Sequence, residues 1–155
     1  MLFNPLPPSP KEAPMPITFT FGDSRELCDQ LLGLIRQGKK TATCGALTYF
    51  TEGGEDMPVE GRRDIALDWD GKPAVMIETV EVTIRRFCDV DEDFALAEGE
   101  DETLEGWRQG HQAYFERNGG FTPEMELVCE RFRLVKDYQG EPDGPEETPL
   151  RHPEA

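Results

Sequence analysis

The feature that most constrains the fold is a pair of strand-like runs, residues 63–69 and 74–84, with very little chain between them. They are joined around Asp70-Gly71, a dipeptide that tolerates the positive φ angles of tight hairpin turns. Strands joined in this way pair antiparallel, because a parallel pair needs a crossover of a dozen or more residues. The two runs therefore predict a β-hairpin and argue against a doubly wound parallel sheet.

Further elements are predicted on both sides of this hairpin. Alternation of apolar and polar residues predicts strands, and an apolar stripe at helical spacing predicts a helix. These patterns predict strands over residues 17–21, 46–50 and 126–135, long helices over 24–37 and 103–117, and a short helical turn over 91–97. The order β-α-β-β-β-α-β indicates an α+β domain, with a mostly antiparallel, curled or barrel-like sheet flanked by two main helices.

The first long helix has the clearest boundary signals. Asp23 is a candidate N-cap, and Glu26 three residues later completes a capping-box pattern. Leu27, Leu31 and Ile35 then form one apolar stripe. Such a stripe is typical of a helix with one buried face.

Proline separates the ends of the chain from its middle. Six of the 13 prolines lie in the first sixteen residues, and residues 137–155 hold four more together with six acidic side chains. Neither end has the periodic apolar content that a folded segment needs. The chain is therefore predicted to have a disordered Pro-rich N-terminal tail (1–16), one folded domain (17–136) and a disordered, acidic, Pro-rich C-terminal tail (137–155).

The charge balance limits the partners. The chain has 32 Asp and Glu residues against 16 Lys and Arg residues, a net charge of −16. Binding to nucleic acids depends largely on neutralising phosphates with Lys and Arg. Long duplex DNA is therefore disfavoured as a partner.

The cysteines and the apolar runs limit the class of protein further. Four cysteines are far apart and form no CxxC or Cys-His spacing: Cys28, Cys44, Cys88 and Cys129. They are expected to be reduced thiols in the core, so no metal site, redox pair or cofactor is predicted. Because there is no apolar run of membrane-spanning length and no leader pattern, a soluble, unprocessed, cytoplasmic protein without membrane contact is expected.

The segment from Gly38 to Thr43 is the strongest candidate for function. It places two ammonium groups and two hydroxyls where the backbone leaves the first helix, in a chain where cations are scarce. One explanation is structural, because Gly38 suits a left-handed cap and lysines near a helix C-terminus interact favourably with the dipole. The other is that Lys39 and Lys40 recognise an anionic or carbonyl-bearing ligand. The residues of the segment fit both explanations.

Six short motifs, taken in order, resemble those of the ASCH domain family. They are Phe-Gly-Asp-Ser (21–24), Gly-Lys-Lys-Thr-Ala-Thr (38–43), Phe-x-x-Val-Asp (87–91), Ala-Glu-Gly-Glu (97–100), Trp107 with His111, and Cys-Glu-Arg-Phe (129–132). The similarity extends from Phe21 to Val135. It implies a small PUA-like β-barrel, related to RNA-binding PUA domains, with a cleft beside the barrel that binds RNA or nucleosides.

One branch of the ASCH family deacylates N-acetylcytidine with a Lys, a Thr and a Glu. On the matching positions these roles fall to Lys40, Thr43 and Glu100, with Glu98 as the alternative acid. That branch also has an Arg shortly after its Thr, where this chain reads Cys44-Gly45-Ala46. Another family member has been reported to act as a ribonuclease. The resemblance therefore implies either an amidohydrolase or a ribonuclease, since a fold does not fix a reaction.

The residues themselves suggest how an amide could be cleaved. Thr43 needs a base to take its proton, and Lys40 can serve only if its pKa falls from about 10.4 towards 7. Burial and the adjacent charge of Lys39 are the expected causes of such a fall. Alternatively, Lys40 polarises the amide carbonyl, while Glu100 carries a proton to the leaving amine.

A further set of side chains is predicted to bind the ligand: Lys39, Thr41, Glu98, Trp107, His111 and Arg131. Trp107 and His111 lie one helical turn apart, so that the indole either stacks on a base beside the imidazole or packs in the core. Arg131 either anchors a phosphate or carboxylate or simply solvates its face of the last strand.

Three functions therefore compete. The leading prediction is a protein that binds a nucleoside or a short RNA ligand in a cleft and hydrolyses it. The first alternative is an RNA-binding module without catalysis. The second is an interaction protein that uses the acidic tail, residues 137–155.

Overall fold

Five strands form one sheet with the order β1-β3-β4-β5-β2 in a computed structural model that describes residues 15–139. The strands are β1 (Thr18–Thr20), β2 (Ala42–Ala46), β3 (Arg63–Leu67), β4 (Pro73–Arg86) and β5 (Glu126–Asp137). The helices are α1 (Arg25–Arg36), α2 (Leu47–Thr51), α3 (Glu92–Ala97) and α4 (Leu104–Arg117). Neighbouring strands pair antiparallel, except that β1 pairs parallel with β3. The predicted α+β class with a mostly antiparallel sheet is confirmed.

The predicted hairpin is formed by β3 and β4. The Asp68 carboxylate accepts hydrogen bonds from the backbone N–H groups of Asp70 and Lys72, each at 2.9 Å, and Gly71 has a φ of 85°. β4 extends beyond its predicted ends, and register shifts at two points indicate bulges. Bulges bend a strand and increase its twist. The first part of β4, as far as Glu78, pairs with β3, and the strand from Val75 to Arg86 pairs with β5.

Helix α1 covers one part of the sheet. Its N-cap is Ser24 rather than the predicted Asp23, because the Ser24 hydroxyl accepts the N–H of Leu27 at 3.2 Å. The buried side of the helix packs with Phe19, Phe21 and Phe132 into a first core cluster. Each fully buried large apolar side chain of this kind stabilises the fold by about 1.5–3 kcal/mol.

Helices α3 and α4 bury a second core cluster. Phe87 stacks against Trp107, with 5.2 Å between the ring centroids, and Phe115 packs edge-on to Phe87. The strands supply Cys44 from β2 and Cys129 from β5, together with other small and apolar side chains. β2 and β5 are therefore held in place by α3 and α4.

Residues 46–50 do not form the predicted strand. The strand is β2 (Ala42–Ala46), which lies directly after the Lys-Thr segment, and α2 (Leu47–Thr51) follows it without a break. A run of five residues is too short to separate a period of 2 from one of 3.6. The pairing of β2 with β5, a tertiary contact, decides which residues of this region are extended.

The predicted barrel is not closed. β1 and β2 are the two edges of the sheet and do not pair with each other. Phe19 and Phe21 on the β1 side and Thr43 and Gly45 in β2 line one small cavity of about 30 Å³, which we call the inner cavity. The gap between the two edge strands is called the seam.

The described residues test three further predictions. Cys28, Cys44 and Cys129 are free thiols in the core, as predicted, whereas Cys88 is exposed. β5 runs to Asp137, two residues beyond its predicted end, and the predicted tails lie almost wholly outside the described residues. In residues 15–139, no helix has the length and apolar character needed to cross a membrane.

Candidate functional site

Lys40 is a buried cation in the turn that leaves α1. Only 2% of the residue is exposed. Gly38, with a φ of 77°, ends the helix, and the Lys40 N–H donates to the Leu34 carbonyl at 3.1 Å. The turn that follows the helix points the Lys40 side chain inward, while its neighbour Lys39 stays exposed. Two adjacent lysines thus have opposite environments.

Two acidic residues from the turn after α3 surround the Lys40 ammonium. Its Nζ lies 3.2 Å from Glu98 Oε1 and 3.1 Å from Glu100 Oε2. It also donates to the backbone carbonyl of Glu98 at 3.4 Å. Glu98 is buried, whereas the Glu100 side chain is 20% exposed. Both candidate acids therefore reach Lys40, Glu98 from the interior and Glu100 from the solvent side.

The backbone fixes this acidic turn to the Lys-Thr segment. The Thr41 N–H donates to the Ala97 carbonyl at 2.7 Å. Gly99 has a φ of 78°, and a Cβ at this position would overlap the backbone carbonyl of Lys39. Glycine tolerates both the positive φ and the close approach. Gly99 thereby brings the two carboxylates within reach of the ammonium.

Helix α4 holds the Glu98 carboxylate from its other side. The Trp107 indole N–H donates to Glu98 Oε2 at 3.1 Å, and His111 Nε2 lies 3.4 Å from Glu98 Oε1. The His111 Nδ1–H donates to the Trp107 carbonyl at 3.0 Å. The two rings stack with 4.3 Å between their centroids. Both oxygens of Glu98 therefore have protein partners, which fixes the position of this carboxylate.

Burial and ion pairing act in opposite directions on the pKa values of this cluster. Burial by itself lowers the pKa values of Lys40 and His111, but the carboxylates, above all Glu98, outweigh it and raise both. Burial likewise raises the pKa of Glu98, but Lys40 and His111 outweigh it and hold that pKa well below its usual range. The expected fall in the Lys40 pKa is therefore wrong. Lys40 keeps its proton at neutral pH and cannot act as the base.

A cleft of about 260 Å³ opens beside the cluster, between α1 and α4. Lys40, Thr43, Glu98 and Glu100 line it. The rest of its wall includes side chains from both helices and from the acidic turn: Leu27, Gln30, Asp101, His111, Tyr114 and Arg117. The cleft is thus the one place where the buried ammonium, a hydroxyl and a partly exposed carboxylate meet among the described residues.

Five of the nine predicted site residues line this cleft: Lys40, Thr43, Glu98, Glu100 and His111. Lys39 and Thr41 are exposed and do not line it. Trp107 has no exposed surface. It therefore cannot stack on a base, and the alternative of core packing describes its side chain.

Arg131 also lies outside the cleft. Its guanidinium is 3.4 Å from the Glu81 carboxylate and 3.0 Å from that of Asp93. It also lies 5.4 Å from the centre of the Phe94 ring. The predicted role as an anchor for ligand phosphate has no geometric support at this cleft, because the side chain is engaged by two acids elsewhere.

The cleft residues that sequence reasoning missed include Cys44, Tyr114 and Arg117. Tyr114 lies three residues after His111, a spacing that places both on one face of α4. Burial raises the pKa of Tyr114, so its hydroxyl stays neutral and can donate a hydrogen bond. For Cys44 the sequence carries no signal beyond its distance of one residue from Thr43.

Cys44, Glu98 and His111 are the described residues whose side chains could hold a metal ion, with ligand atoms within 4.8 Å of one another. Their types suit zinc. However, the Lys40 ammonium already lies 3.2 Å from the Glu98 carboxylate, and a second cation there would be repelled. Burial also raises the pKa of the Cys44 thiol well above its usual value, which opposes a thiolate ligand. The three side chains fit an ion-pair cluster better than a metal centre.

The fold and this site define the class of the protein. A model of the ASCH domain matches residues 17–136, most of the chain. The chain belongs to the ASCH domain family, and the resemblance seen in its motifs is confirmed.

Two solved structures show the same fold. The crystal structure of an ASCH domain from Lactobacillus crispatus JV V101 is 31% identical, with a TM-score of 0.70 over 77% of this chain and 79% of that one. The crystal structure of protein EF3133 from Enterococcus faecalis V583 is 35% identical, with a TM-score of 0.75 over 89% of this chain and 87% of that one. No curated protein matches the chain.

Proposed function

We propose that the cleft binds an acylated pyrimidine nucleoside of the N-acetylcytidine type and hydrolyses its exocyclic amide. The observation that carries this proposal is the protonated Lys40, buried between two carboxylates in a cleft that Thr43 also lines. Together these groups supply a nucleophile, a fixed positive charge for a developing oxyanion and a carboxylate for proton transfer. Those are the requirements of amide cleavage through an acyl-enzyme.

The size and charge of the site support a nucleoside rather than a polynucleotide. A volume of about 260 Å³ lies just below the range of roughly 300–1,000 Å³ that is typical of small-molecule sites. The net charge of −16 repels a run of phosphates. An acylated nucleoside has no phosphate and avoids this repulsion.

Three polar residues of the cleft, Lys40, Thr43 and Glu100, act on the ligand in the proposed reaction. The Thr43 hydroxyl passes its proton to a nearby base as its oxygen attacks the acyl carbon, and the Lys40 ammonium stabilises the negative charge that develops on the carbonyl oxygen. The C–N bond then breaks, and the leaving nitrogen takes a proton from the Lys40–Glu100 pair. Water finally hydrolyses the acyl-threonine and returns a proton to this pair, while the base gives its proton back to Thr43.

Glu98 and His111 are positioning residues in this scheme. Glu98 is 1% exposed and fixes the Lys40 ammonium, so it does not need to touch the ligand. His111 lines the cleft and holds Glu98 from the other side. Their contribution is to keep the ammonium at the wall of the cleft, a geometry that costs no reorganisation during the reaction.

Two threonines of one segment provide a matched test. Thr43→Val removes the hydroxyl in the cleft, whereas Thr41→Val removes an exposed one. With N-acetylcytidine as substrate and cytidine release followed by chromatography, Thr43→Val is expected to lose activity by roughly 10³-fold or more, as for a covalent nucleophile. Thr41→Val should stay within about twofold of the wild type. A Thr43→Val protein that releases cytidine at the wild-type rate would exclude the mechanism.

Binding and turnover can be separated in the same series. Calorimetric titration with N-acetylcytidine should give similar dissociation constants for the wild type and Thr43→Val, because the substitution leaves the shape of the cleft nearly unchanged. A wild-type protein that binds the nucleoside but releases no cytidine would instead be a non-catalytic binding module. Cleavage of a single-stranded oligoribonucleotide in place of the nucleoside would make it a ribonuclease.

A further inference from the structure

Thr43 has a second polar neighbour on the side of the inner cavity. In the pairing of β2 with β5, Thr43 lies directly opposite Glu130. Side chains that are directly opposite share a face of the sheet, with their Cβ atoms about 4.5–5.5 Å apart. Both residues line the inner cavity, and Thr43 lines the cleft as well. Thr43 therefore stands between the cleft and a carboxyl group.

The Glu130 carboxyl has one free side. The Thr79 hydroxyl donates to Glu130 Oε2 at 2.7 Å, and within residues 15–139 we find no ion pair to Glu130. The nearby cation Arg62 is bound to Asp64, with 2.8 Å between Nε and Oδ1. Glu130 Oε1 is therefore available to the residue that lies across the strand pair.

We propose that Glu130 is the base that takes the proton of Thr43. This inference rests on the proposed function for the reaction that it serves. The two other candidates are less suitable, because Lys40 keeps its own proton and Glu100 Oε2 is occupied by the Lys40 ammonium at 3.1 Å. Glu130 has no such ion-pair partner among the described residues, lies opposite Thr43 in the strand pair and lines the inner cavity with it.

The surroundings of Glu130 suit a base that works near neutral pH. Burial raises its pKa to about 7, and Asp64 acts in the same direction. The Thr79 hydrogen bond, Arg62 and Lys40 act in the opposite direction without cancelling the rise. A general base is most effective when its pKa lies near the working pH.

The proton transfers balance over the whole cycle. In the first step the proton of Thr43 passes to the Glu130 carboxylate, the Oγ1–acyl bond forms, and the C–N bond breaks as the Lys40–Glu100 pair protonates the leaving nitrogen. In the second step water attacks the acyl carbon and returns a proton to that pair. The proton on Glu130 goes back to Thr43 as the ester bond breaks. The net reaction is amide plus water to amine plus carboxylic acid.

A probe independent of the natural substrate tests the inference. The full-length protein is treated with p-nitrophenyl acetate between pH 5 and 9, and acetylation of Thr43 is measured by peptide mass spectrometry. In the wild type, the acetylation rate is expected to rise with pH, with a midpoint near 7, as Glu130 loses its proton. Glu130→Gln should lower the rate by roughly 10²-fold or more and abolish this midpoint.

Two further variants keep the test decisive. Thr79→Val removes a hydrogen bond that lowers the Glu130 pKa, so the midpoint should move to higher pH while acetylation persists. Glu126→Gln changes an exposed acid of the same strand and should leave both rate and midpoint unaltered. Circular dichroism of each variant confirms that it is folded.

The possible outcomes separate this inference from the proposed function. Wild-type-like acetylation of Thr43 in Glu130→Gln would overturn the role of Glu130, as would the absence of Thr43 acetylation from the wild type at every pH. Failure of the proposed function would appear differently, as a protein whose Thr43 is acetylated with a midpoint near 7 but which neither binds nor hydrolyses N-acetylcytidine.

Discussion

Glu98, which is buried and lines the cleft, and Glu130, which is half-buried and lines the inner cavity, have pKa values that move in opposite directions. Burial raises the pKa of both. At Glu98 the Lys40 ammonium and His111 outweigh burial and lower the pKa. At Glu130 the main partner is the neutral Thr79 hydroxyl, and burial prevails. The charged neighbours, rather than the depth of burial, decide whether the pKa of each carboxyl is lowered or raised.

This contrast divides the tasks of the site. A carboxylate with a depressed pKa is a fixed negative charge that holds a cation, whereas one with a pKa near 7 can exchange a proton. Pairs of titratable groups whose surroundings push their pKa values apart are a common basis for acid and base roles. We therefore propose that Glu98 holds the Lys40 ammonium in place and that Glu130 transfers the proton.

The largest effect on stability should come from removing the Lys40 ammonium, which pairs with Glu98. Lys40→Met leaves Glu98 and Glu100 without their ammonium, and loss of one partner of a buried ion pair typically costs roughly 3–5 kcal/mol in free energy of unfolding. Lys39→Met, one residue away and exposed, should change it by less than about 0.5 kcal/mol. Urea unfolding at pH 7 measures both. Equal stabilities for the two variants would show that the ion pair does not hold the turn.

The next effect concerns Glu130 and depends on pH. Its folded-state pKa, about 7, lies above its usual value of 4.5, so its contribution to stability is complete below the usual value and is lost as pH rises through 7. The loss amounts to about 3 kcal/mol. Urea unfolding of wild type and Glu130→Gln between pH 4 and 8 should therefore show a difference that changes by about this amount. Parallel curves would contradict the raised pKa.

The smallest of the three effects on stability tests how the acidic turn that carries Glu98 is held next to Lys40. Gly99→Ala should destabilise the fold by about 1–2 kcal/mol for the positive φ and by more for the overlap with the Lys39 carbonyl. Gly54→Ala is the matched control, because Gly54 has a φ of 75° but no atom near a Cβ built there. The difference in Tm between the two variants isolates the overlap. If it is zero, the acidic turn can move away from Lys40 without cost.

Much of the fold could be predicted from local patterns. The β3–β4 hairpin follows from Asp70-Gly71 between two strand-like runs, and the two long helices follow from their apolar stripes. Residues 46–50 could not be assigned, because a short run fits either period and its partner strand lies far along the chain. The closed barrel was wrong for a similar reason, since closure depends on whether two distant edge strands meet.

The candidate site was predictable in its residue types but not in its protonation. The order of the motifs pointed to Lys40, Thr43 and the acidic turn, and these do meet. The two carboxylates that keep Lys40 protonated come from 58 and 60 residues away. The charge of the adjacent Lys39 was therefore a poor guide to the pKa of Lys40. Glu130 gave no signal, because an acid within an alternating strand is usually a surface residue.

The seam between β1 and β2 has a mechanical consequence. Strands within the sheet are kept about 4.7–4.9 Å apart by their hydrogen bonds. In the described chain no ladder joins β1 to β2, so no hydrogen bonds between these two strands fix the width of the gap, and Phe19 and Phe21 line the inner cavity there. A change in the width of the inner cavity would therefore break no hydrogen bond between paired strands of the sheet.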